Sequence, residues 1–191
     1  MLSEPDYQAY PYSFCCEVGY RQDMSGAIRS AARAVLTEYP GQATRLLEIG
    51  VWEGRSGCWL IDNVLVHPDS RYIGIDNWTS PPGVRRTATD NLAFHGPKAT
   101  LLEGDSRQVV LSLTGVFDVV VIDGGHTYEV CLADLQNCWP KLTVRGIMIV
   151  DDYTYPGLPG VPRAVNEFLS ERVGQYEILH REVAIALRKL C

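Results

Sequence analysis

Short apolar runs that stop at acidic residues recur along this chain. The two most pronounced runs are residues 117–122 (FDVVVI), which stop at Asp123, and residues 147–150 (IMIV), which stop at Asp151 and Asp152. Short runs rich in β-branched residues, without regular polar alternation, are typical of strands that helices cover on both faces of a parallel sheet. The two runs are therefore predicted to be buried parallel strands.

The same pattern predicts an alternation of strands and helices over most of the chain. Further strands are predicted over residues 45–49, 72–75, 99–103, 176–179 and 183–187, and helices over residues 25–36, 58–65, 84–94, 106–113, 127–139 and 161–169. Only three residues separate the last two strands, which permits an antiparallel hairpin but not a parallel crossover. We expect five parallel strands followed by a terminal hairpin.

The pattern is not interrupted by a repeat, a low-complexity tract or a linker. A single domain is therefore predicted over residues 1–191, with its core over residues 25–191. Residues 1–24 contain four tyrosines and two prolines. Two interpretations of this segment stay open, an arm that packs on the domain and a lid over the substrate.

Composition narrows the class of protein. Of the 191 residues, 46% are hydrophobic and 21% charged, which is ordinary for a soluble globular domain. The net charge of −6 argues against nucleic acid as the main partner, because phosphate binding needs a basic surface. No apolar run approaches the roughly 20 residues that span a bilayer. The N-terminal segment lacks the basic and apolar regions of a signal peptide, so a cytoplasmic protein without a membrane partner is expected.

The six cysteines include no CxxC pair, and no histidine lies close to them in the pattern of a zinc site. We therefore expect reduced, mostly buried thiols, as is usual in the cytosol.

Acidic residues at the ends of predicted strands are the strongest chemical signal. In open α/β sheets, ligands bind beyond the carboxyl ends of the strands, which is where Asp123, Asp151 and Asp152 fall. On neighbouring strands these carboxylates would lie close enough to share one cation. Mg²⁺ and similar hard divalent cations prefer such oxygen ligands. In the structural alternative, Asp151 and Asp152 cap a loop and no metal binds.

A glycine-rich turn follows the predicted strand over residues 45–49. Gly50, Gly54 and Gly57 lie ahead of a predicted helix, as in a nucleotide-binding turn whose small residues let the backbone approach the ligand. The spacing differs from GxGxxG, because Trp52 stands where a dinucleotide-binding turn has its second glycine. The turn therefore indicates a nucleotide-like cofactor and argues against a nicotinamide.

Two more strand ends carry acids that could contact such a cofactor. Asp76 follows residues 72–75, and a carboxylate at this place commonly accepts hydrogen bonds from both ribose hydroxyls. Trp78, two residues later, would cover an adenine face or cap the hydrophobic core. Asp105 would accept a hydrogen bond from the adenine amine or serve only as the N-cap of the next helix.

Five motifs in sequence order make the chain similar to a known enzyme family. They are LEIGVWEGRS at 47–56, YIGIDNW at 72–78, LLEGDS at 101–106, IDGGHTYE at 122–129 and VDDY at 150–153. On these motifs the chain resembles the class I S-adenosylmethionine (SAM)-dependent methyltransferases, and among them the small Mg²⁺-dependent macrocin and sugar O-methyltransferases. The resemblance implies a Rossmann-like, three-layer α/β/α fold whose seven-stranded, mostly parallel sheet ends in an antiparallel hairpin.

The resemblance also assigns roles to residues. It implies SAM contacts from residues at four strand ends, namely Glu48, Gly50, Gly54, Ser56, Asp76, Asn77, Trp78, Asp105, Ser106 and Asp123. It implies that Asp123, Asp151 and Asp152 bind Mg²⁺ or another divalent cation. Sugar O-methyltransferases commonly carry an acid two residues after the first metal-binding aspartate, where this chain has Gly125 followed by His126. Because an imidazole can accept a proton near neutral pH, His126 is, with Asp123, the candidate catalytic group; a structural His126 is the alternative.

The function implied by the resemblance is cation-assisted methyl transfer from SAM to a hydroxyl of a small molecule, such as a sugar, a natural product or a catechol-like compound. Two alternatives stay open: a metal-independent methyltransferase with His126 as base, and a non-catalytic SAM-binding subunit or sensor. Arg85 and Arg86 hint at an anionic group on the acceptor, although a solvated helix face is the commoner explanation. A homodimer is one expected assembly, because dimers are frequent among proteins of this kind.

Overall fold

The computed structural model describes residues 12–14, 26–37, 39–79 and 81–191. The predicted arm or lid over residues 1–24 lies outside these ranges apart from residues 12–14, and so does Ser25, the first residue of the first predicted helix. Within the described ranges, no helix combines the length and the apolar character needed to cross a membrane.

Six α-helices and seven β-strands make up the described part of the chain. The helices are α1 (Gly26–Val35), α2 (Arg55–Asn63), α3 (Val84–Ala93), α4 (Ser106–Ser112), α5 (Tyr128–Cys138) and α6 (Gly160–Ser170). The strands are β1 (Arg45–Ile49), β2 (Arg71–Asp76), β3 (Ala99–Glu103), β4 (Phe117–Ile122), β5 (Leu142–Val150), β6 (Tyr176–Arg181) and β7 (Ile185–Lys189). Short 3₁₀ turns lie at Tyr39–Gly41, Gly96–Lys98 and Trp139–Lys141.

The described strands form one seven-stranded sheet in the order β3-β2-β1-β4-β5-β7-β6. Strands β1 to β5 pair in parallel, whereas β7 runs antiparallel to both β5 and β6. Helices α1 to α3 contribute to the hydrophobic core on one face of the sheet, and α4 to α6 to the core on the other. The predicted three-layer fold, with five parallel strands and a terminal hairpin, is confirmed.

The central strands β4 and β5 are covered on both faces, which explains their unbroken apolar runs. Residues 119–121 of β4 and 147–149 of β5 have no exposed surface. Because successive side chains of a strand point to opposite faces, such a run supplies both cores at once. Full burial of each aliphatic side chain stabilises the fold by about 1.5–3 kcal/mol.

Two strands begin two or more residues away from their predicted starts, while β2, β6 and β7 also end one or two residues later than predicted. β5 begins at Leu142 rather than at residue 147, because Leu142 pairs with the first residue of β4 ahead of an irregularity in the ladder. β7 begins at Ile185 rather than at residue 183, because Val183 lies in the hairpin turn, where its carbonyl accepts a hydrogen bond from Thr154 N at 3.3 Å. Both differences arise from contacts between segments distant in sequence.

From β1 the chain continues to β2 and β3 on one side of β1, and it then crosses back to β4 and β5 on the other side. This reversal opens a crevice at the carboxyl ends of β1 and β4, the usual ligand site of such sheets. Gly50 lies there with a φ of +85°, and a Cβ on it would lie 1.8 Å from the carbonyl oxygen of Asp123. Only a glycine lets the two loops approach so closely.

Residues 12–14 lie against helices α2 and α3. The hydroxyl of Tyr12 donates to Asp62 at 2.8 Å, and the backbone N–H of Ser13 donates to the side-chain oxygen of Asn91 at 2.9 Å. This short piece of the N-terminal segment therefore packs on the domain. The roles proposed for the whole segment, arm or lid, stay predictions.

Candidate active site

The glycine turn after β1 forms the first wall of the crevice. Gly54 has a φ of +83° and occupies the N-cap of α2. Ser56, in the first turn of α2, is buried. The structure thus brings Gly50, Gly54 and Ser56 together in one turn; the predicted contacts of these residues with a cofactor stay predictions.

Glu48 is buried beneath this turn. The hydroxyl of Tyr72 donates a hydrogen bond to Glu48 Oε2, whereas Oε1 has no partner among the described residues. Burial raises the pKa of Glu48 to about 7. Gly57 and Gly74 make room for the pair, because a Cβ on them would lie 2.5 and 2.7 Å from the Tyr72 hydroxyl. Sequence reasoning missed Tyr72, because a tyrosine in a buried strand gives no signal of the carboxylate that its hydroxyl meets.

Asp76 ties the loops after β1 and β2 together. Its Oδ2 accepts hydrogen bonds from the backbone N–H groups of Val51 at 2.9 Å and Trp52 at 2.8 Å, and its Oδ1 accepts one from Trp78 at 2.8 Å. The indole N–H of Trp78 in turn donates to the carbonyl of Trp52 at 3.0 Å. A carboxylate has about four acceptor sites, so these three N–H groups occupy most of them, and the contact of Asp76 with the ribose hydroxyls stays a prediction.

The same loops hold two tryptophans in an uncommon backbone conformation. Trp52 and Trp78 have φ values of 51° and 41°, in the left-handed region that is costly for bulky residues. Trp78 packs against the core beneath α1 to α3, as its structural interpretation predicts. The adenine contact of Trp78 stays a prediction. Asn77 is exposed, and its side-chain oxygen accepts a hydrogen bond from the N–H two residues later at 3.2 Å.

The loop after β3 carries the residues predicted to meet the adenine. Asp105 is the N-cap of α4, and its carboxylate accepts hydrogen bonds from the backbone N–H of Arg107 at 3.0 Å and from its guanidinium Nε at 2.9 Å. The side-chain hydrogen bond with Arg107 lowers the pKa of Asp105. Asp105 therefore acts as a helix cap, and its contact with adenine stays a prediction.

Ser106 connects this loop to a buried acid that sequence reasoning missed. Its hydroxyl donates to Asp134 Oδ1 at 2.7 Å, and Asp134 Oδ2 has no partner among the described residues. Burial raises the pKa of Asp134 to about 6. The sequence did contain one signal. Asp134 lies three residues after Cys131 and directly before Leu135, so helical spacing puts it on the apolar face of α5, where all three residues are buried.

Asp123, His126 and Asp152 form a cluster at the carboxyl ends of β4 and β5. His126 Nε2 lies 3.0 Å from Asp152 Oδ2 and 3.7 Å from Asp123 Oδ1. Each residue offers one ligand atom within 4.8 Å of the other two, close enough to hold one metal ion. The aspartates meet because β4 and β5 are parallel neighbours, while His126 comes from the loop before Thr127, the N-cap of α5.

Asp151 lies beside this cluster but outside it. Its backbone N–H donates to the carbonyl of Ile122 at 2.9 Å, which continues the pairing of β4 with β5. Its side chain is buried, and its Oδ1 has no hydrogen-bond partner in the part of the chain that the structure describes. Of the three predicted metal ligands, the structure therefore groups Asp123 and Asp152 with His126, and a ligand role for Asp151 stays a prediction.

The cluster and its neighbour Asp151 are short of positive charge. The neighbouring carboxylates of Asp123 and Asp152 raise the pKa of His126 to about 10, so the imidazole is protonated at neutral pH. Burial raises the pKa of Asp123 to about 6. Burial, with repulsion from Asp123, raises that of Asp151 to about 8. One imidazolium thus accompanies three carboxyl groups, an arrangement that a further cation would stabilise.

The residues at this edge of the sheet fall within a segment that matches a known protein family. A family model described as "Methyltransferase domain" matches residues 47–153, more than half of the chain, which include the glycine turn and all the acids described above. No curated protein matches the chain in sequence.

Several solved structures share the fold. CalS11, a TDP-rhamnose 3'-O-methyltransferase of calicheamicin biosynthesis, aligns with a TM-score of 0.67 and 23% identity over 88% of this chain and 80% of that chain. TomG from Streptomyces achromogenes, an O-methyltransferase in complex with SAM, aligns with a TM-score of 0.66 and 19% identity over 88% of this chain and 82% of that chain. An rRNA methylase from Streptococcus thermophilus aligns with a TM-score of 0.61 and 12% identity over 86% of this chain and 97% of that chain. At these identities the comparison establishes a shared fold and leaves the methyl acceptor open.

Proposed function

The chain belongs to the methyltransferase domain family, and we propose that this SAM-dependent enzyme methylates a hydroxyl oxygen of a small molecule with the help of a divalent cation. The observation that carries the proposal is the convergence of Asp123, His126 and Asp152 within 4.8 Å. This cluster adjoins the cofactor turn, because the carbonyl of Asp123 touches Gly50. Cofactor and acceptor would therefore meet at the carboxyl ends of β1 and β4.

The residues of the cluster fit a divalent cation. The carboxylates of Asp123 and Asp152 offer the oxygen ligands that Mg²⁺ or Mn²⁺ prefers, and the imidazole of His126 lies beside them. Asp151 supports the fit, because its buried Oδ1 has no partner among the described residues. When bound, the cation would act as a Lewis acid that lowers the pKa of a hydroxyl.

Asp123 and Asp152 would hold the cation, and His126 would take the proton of the acceptor hydroxyl. In the arrangement described above, His126 already carries a proton at neutral pH, because the two carboxylates raise its pKa to about 10. It becomes a base only when their negative charge is neutralised, since that charge is the cause of the raised pKa. This dependence argues against the alternative in which His126 acts without a metal.

SAM would lie across the glycine turn, with Gly50 and Gly54 near its methionine end and Asp76 near its ribose. Because Asp76 already bonds Val51 and Trp52, part of its effect on SAM is to fix the shape of the turn. The acceptor oxygen would displace the sulfur in line, leaving S-adenosylhomocysteine. Holding the two reactants at attack distance supplies much of the rate enhancement.

The test is methyl transfer from SAM to a panel of sugars, catechols and related hydroxyl compounds, with and without EDTA. We expect turnover that EDTA abolishes and that Mg²⁺ or Mn²⁺ restores. Turnover that survives EDTA would favour the metal-independent enzyme. Binding of SAM in a calorimetric titration, without methylation of any acceptor, would favour the non-catalytic sensor.

A further inference from the structure

An open cleft lies at the same edge of the sheet as the acidic cluster, beyond β5. It has a volume of about 410 Å³ and is lined mainly by Tyr153, Tyr155, Pro159, Pro162 and Arg181. Tyr153 directly follows Asp152, so the cleft begins where the cluster ends. β6 and β5 both run antiparallel to β7, and Arg181 at the carboxyl end of β6 therefore lies at the same edge as Asp152.

The guanidinium of Arg181 is anchored in this cleft by Tyr153. Its Nη2 donates to the Tyr153 hydroxyl at 2.6 Å, and its central carbon lies 5.3 Å from the centre of the Tyr153 ring. Tyr153 is itself buried, and its hydroxyl donates to the side-chain oxygen of Asn166 on α6 at 3.0 Å. The chain Asn166–Tyr153–Arg181 thus fixes one edge of the guanidinium and leaves the other N–H groups of its five for a ligand.

Arg181 differs in this respect from the arginines that the sequence offered as anion contacts. Arg85 forms an ion pair with Glu103 at 2.6 Å, and Arg86 lies 3.6 Å from Asp90. Among the described residues, no carboxylate pairs with Arg181, whose contacts are those with Tyr153. The positive charge in the cleft is therefore not neutralised by the protein around it.

We propose that this cleft binds a carboxylate or phosphate group of the methyl acceptor, remote from the hydroxyl that is methylated. An arginine fork recognises both groups through paired, charge-assisted hydrogen bonds. The tyrosine and proline side chains would pack against the adjoining apolar part of the acceptor, as in most small-molecule sites. The inference rests on the proposed O-methyltransferase function, because the cleft is assigned to the acceptor of that reaction.

The proposal has an electrostatic consequence. The chain carries a net charge of −6, and the cluster next to the cleft is acidic. The cation in the cluster would offset part of this negative charge, and Arg181 offers a fixed positive charge to the anionic end of the acceptor. Arg181 would therefore orient the acceptor, with the anion in the cleft and the hydroxyl toward Asp123 and Asp152.

Fragment binding tests the cleft without any need for turnover. Benzoate and phenyl phosphate are the probes, with benzyl alcohol as the neutral control, and binding is followed by the NMR signal of the Arg181 Nε–H group and by titration calorimetry. We expect both anions to shift the Arg181 signal and to bind at least roughly tenfold more tightly than benzyl alcohol. The tighter of the two identifies the acceptor group as carboxylate or phosphate.

Variants separate the charge of Arg181 from its packing. Arg181→Gln should abolish the preference for the anions, Arg181→Lys should keep part of it, and Tyr153→Phe should weaken it by loosening the guanidinium. Arg145→Gln, which removes an exposed arginine from the amino-terminal part of β5, is the matched control and should change nothing. Anions that bind no better than benzyl alcohol, or equally well to Arg181→Gln, would overturn the proposal. Anion binding at Arg181 in a protein that methylates no hydroxyl would keep the site and refute the proposed function instead.

Discussion

At the tip of β2, the carboxylate of Asp76 accepts hydrogen bonds from three backbone N–H groups at 2.8–2.9 Å. At the tips of β4 and β5, by contrast, the carboxylates of Asp123 and Asp152 share one imidazole nitrogen of His126. The buried Oδ1 of the neighbouring Asp151 has no partner among the described residues. Asp76 is thus well supplied with donors, whereas the acids at the tips of β4 and β5 are not.

We call the tip of β2, where Asp76 has three backbone donors, the finished half of the site. The tips of β4 and β5, whose acids lack such donors, are the incomplete half. Backbone donors are fixed by the fold, so Asp76 can hold the cofactor turn in shape before any ligand arrives. Buried carboxyl groups without sufficient donors are costly, and they respond by keeping their protons, as the raised pKa values of Asp123 and Asp151 indicate. The half with surplus negative charge is the one to which we assign the cation and the chemistry.

The largest expected effect comes from breaking the incomplete half. Asp152→Asn should reduce kcat by about a hundredfold or more, because it removes a carboxylate that holds the cation and contacts His126. Steady-state kinetics measures the loss, and calorimetry should show SAM affinity within about twofold of the wild type. Asp69→Asn is the matched control, since Asp69 is an exposed aspartate 4.0 Å from His67. Equal losses in turnover and in SAM affinity would contradict the division between the two halves.

Breaking the finished half should act on the cofactor instead. Asp76→Asn leaves a backbone N–H of the turn without its acceptor, which costs roughly 1–3 kcal/mol. We expect SAM to bind about tenfold more weakly and the denaturation midpoint to fall, while the affinity for Mn²⁺ stays unchanged. Asp90→Asn, an exposed change on α3, serves as control. An Asp76→Asn protein with normal SAM affinity would remove Asp76 from the cofactor site.

The cation can be followed by thermal stability alone. Raised pKa values for Asp123 and Asp151 mean that the folded state holds their protons more tightly than the unfolded state, so the metal-free protein loses stability as pH rises from about 4 to about 8. Saturating Mn²⁺ should raise Tm by roughly 5–10 °C at pH 8.5 and by less at pH 5.5, where protons compete. A shift that is equal at both pH values, or that Asp152→Asn retains, would exclude this site as its origin.

The smallest effect concerns the charge of His126. Its pKa in the folded state, about 10, exceeds the ordinary value of 6.5, so the stabilisation is fully present below about pH 6.5 and is lost as pH rises through 10. In EDTA, His126→Gln should lower Tm by only about a degree or two at pH 6, because the side chain is partly exposed to solvent. The decrease in Tm should be smaller at pH 10.5, because the imidazole has lost most of its charge there. Thermal scans at both pH values measure this gap, the difference in Tm between the wild type and the variant. A gap that widens toward pH 10.5 would mean that the imidazole is not protonated in the cluster.

Much of this architecture follows from local patterns. β1 and β4 begin and end where the apolar runs predict, because residues buried on both faces leave little polar alternation to blur the boundaries. β3 also matches its predicted bounds, although it is a partly exposed edge strand. The start of β5 was missed, because its first residues, 142–146, include exposed and polar side chains and pair with β4 through an irregular register. The sequence thus identified the buried strands β1 and β4 at full length and missed the part of β5 that is defined by pairing with a distant segment.

The candidate site shows the same limit. Acids at strand ends could be predicted, because parallel strands present their carboxyl ends at one edge. The hydroxyl of Tyr72 on Glu48 and that of Ser106 on Asp134 could not, because each joins segments more than 20 residues apart through side-chain geometry. These contacts lie beneath the cofactor turn and the β3 loop, where a local pattern carries no information about partners.

The sequence alone determined the sheet, the glycine turn and the place of Asp76, Asp123 and Asp152 at one edge, because apolar periodicity and chain order fix strand identity and direction. Only the tertiary structure decided which acids are supplied with donors and which are not. That distinction depends on where loops turn in space: Asp152 takes a φ of 56° and joins Asp123 and His126, while Asp151 one residue earlier stays outside the cluster. Distances across neighbouring strands, rather than spacing along the chain, set the charge balance on which the proposed chemistry depends.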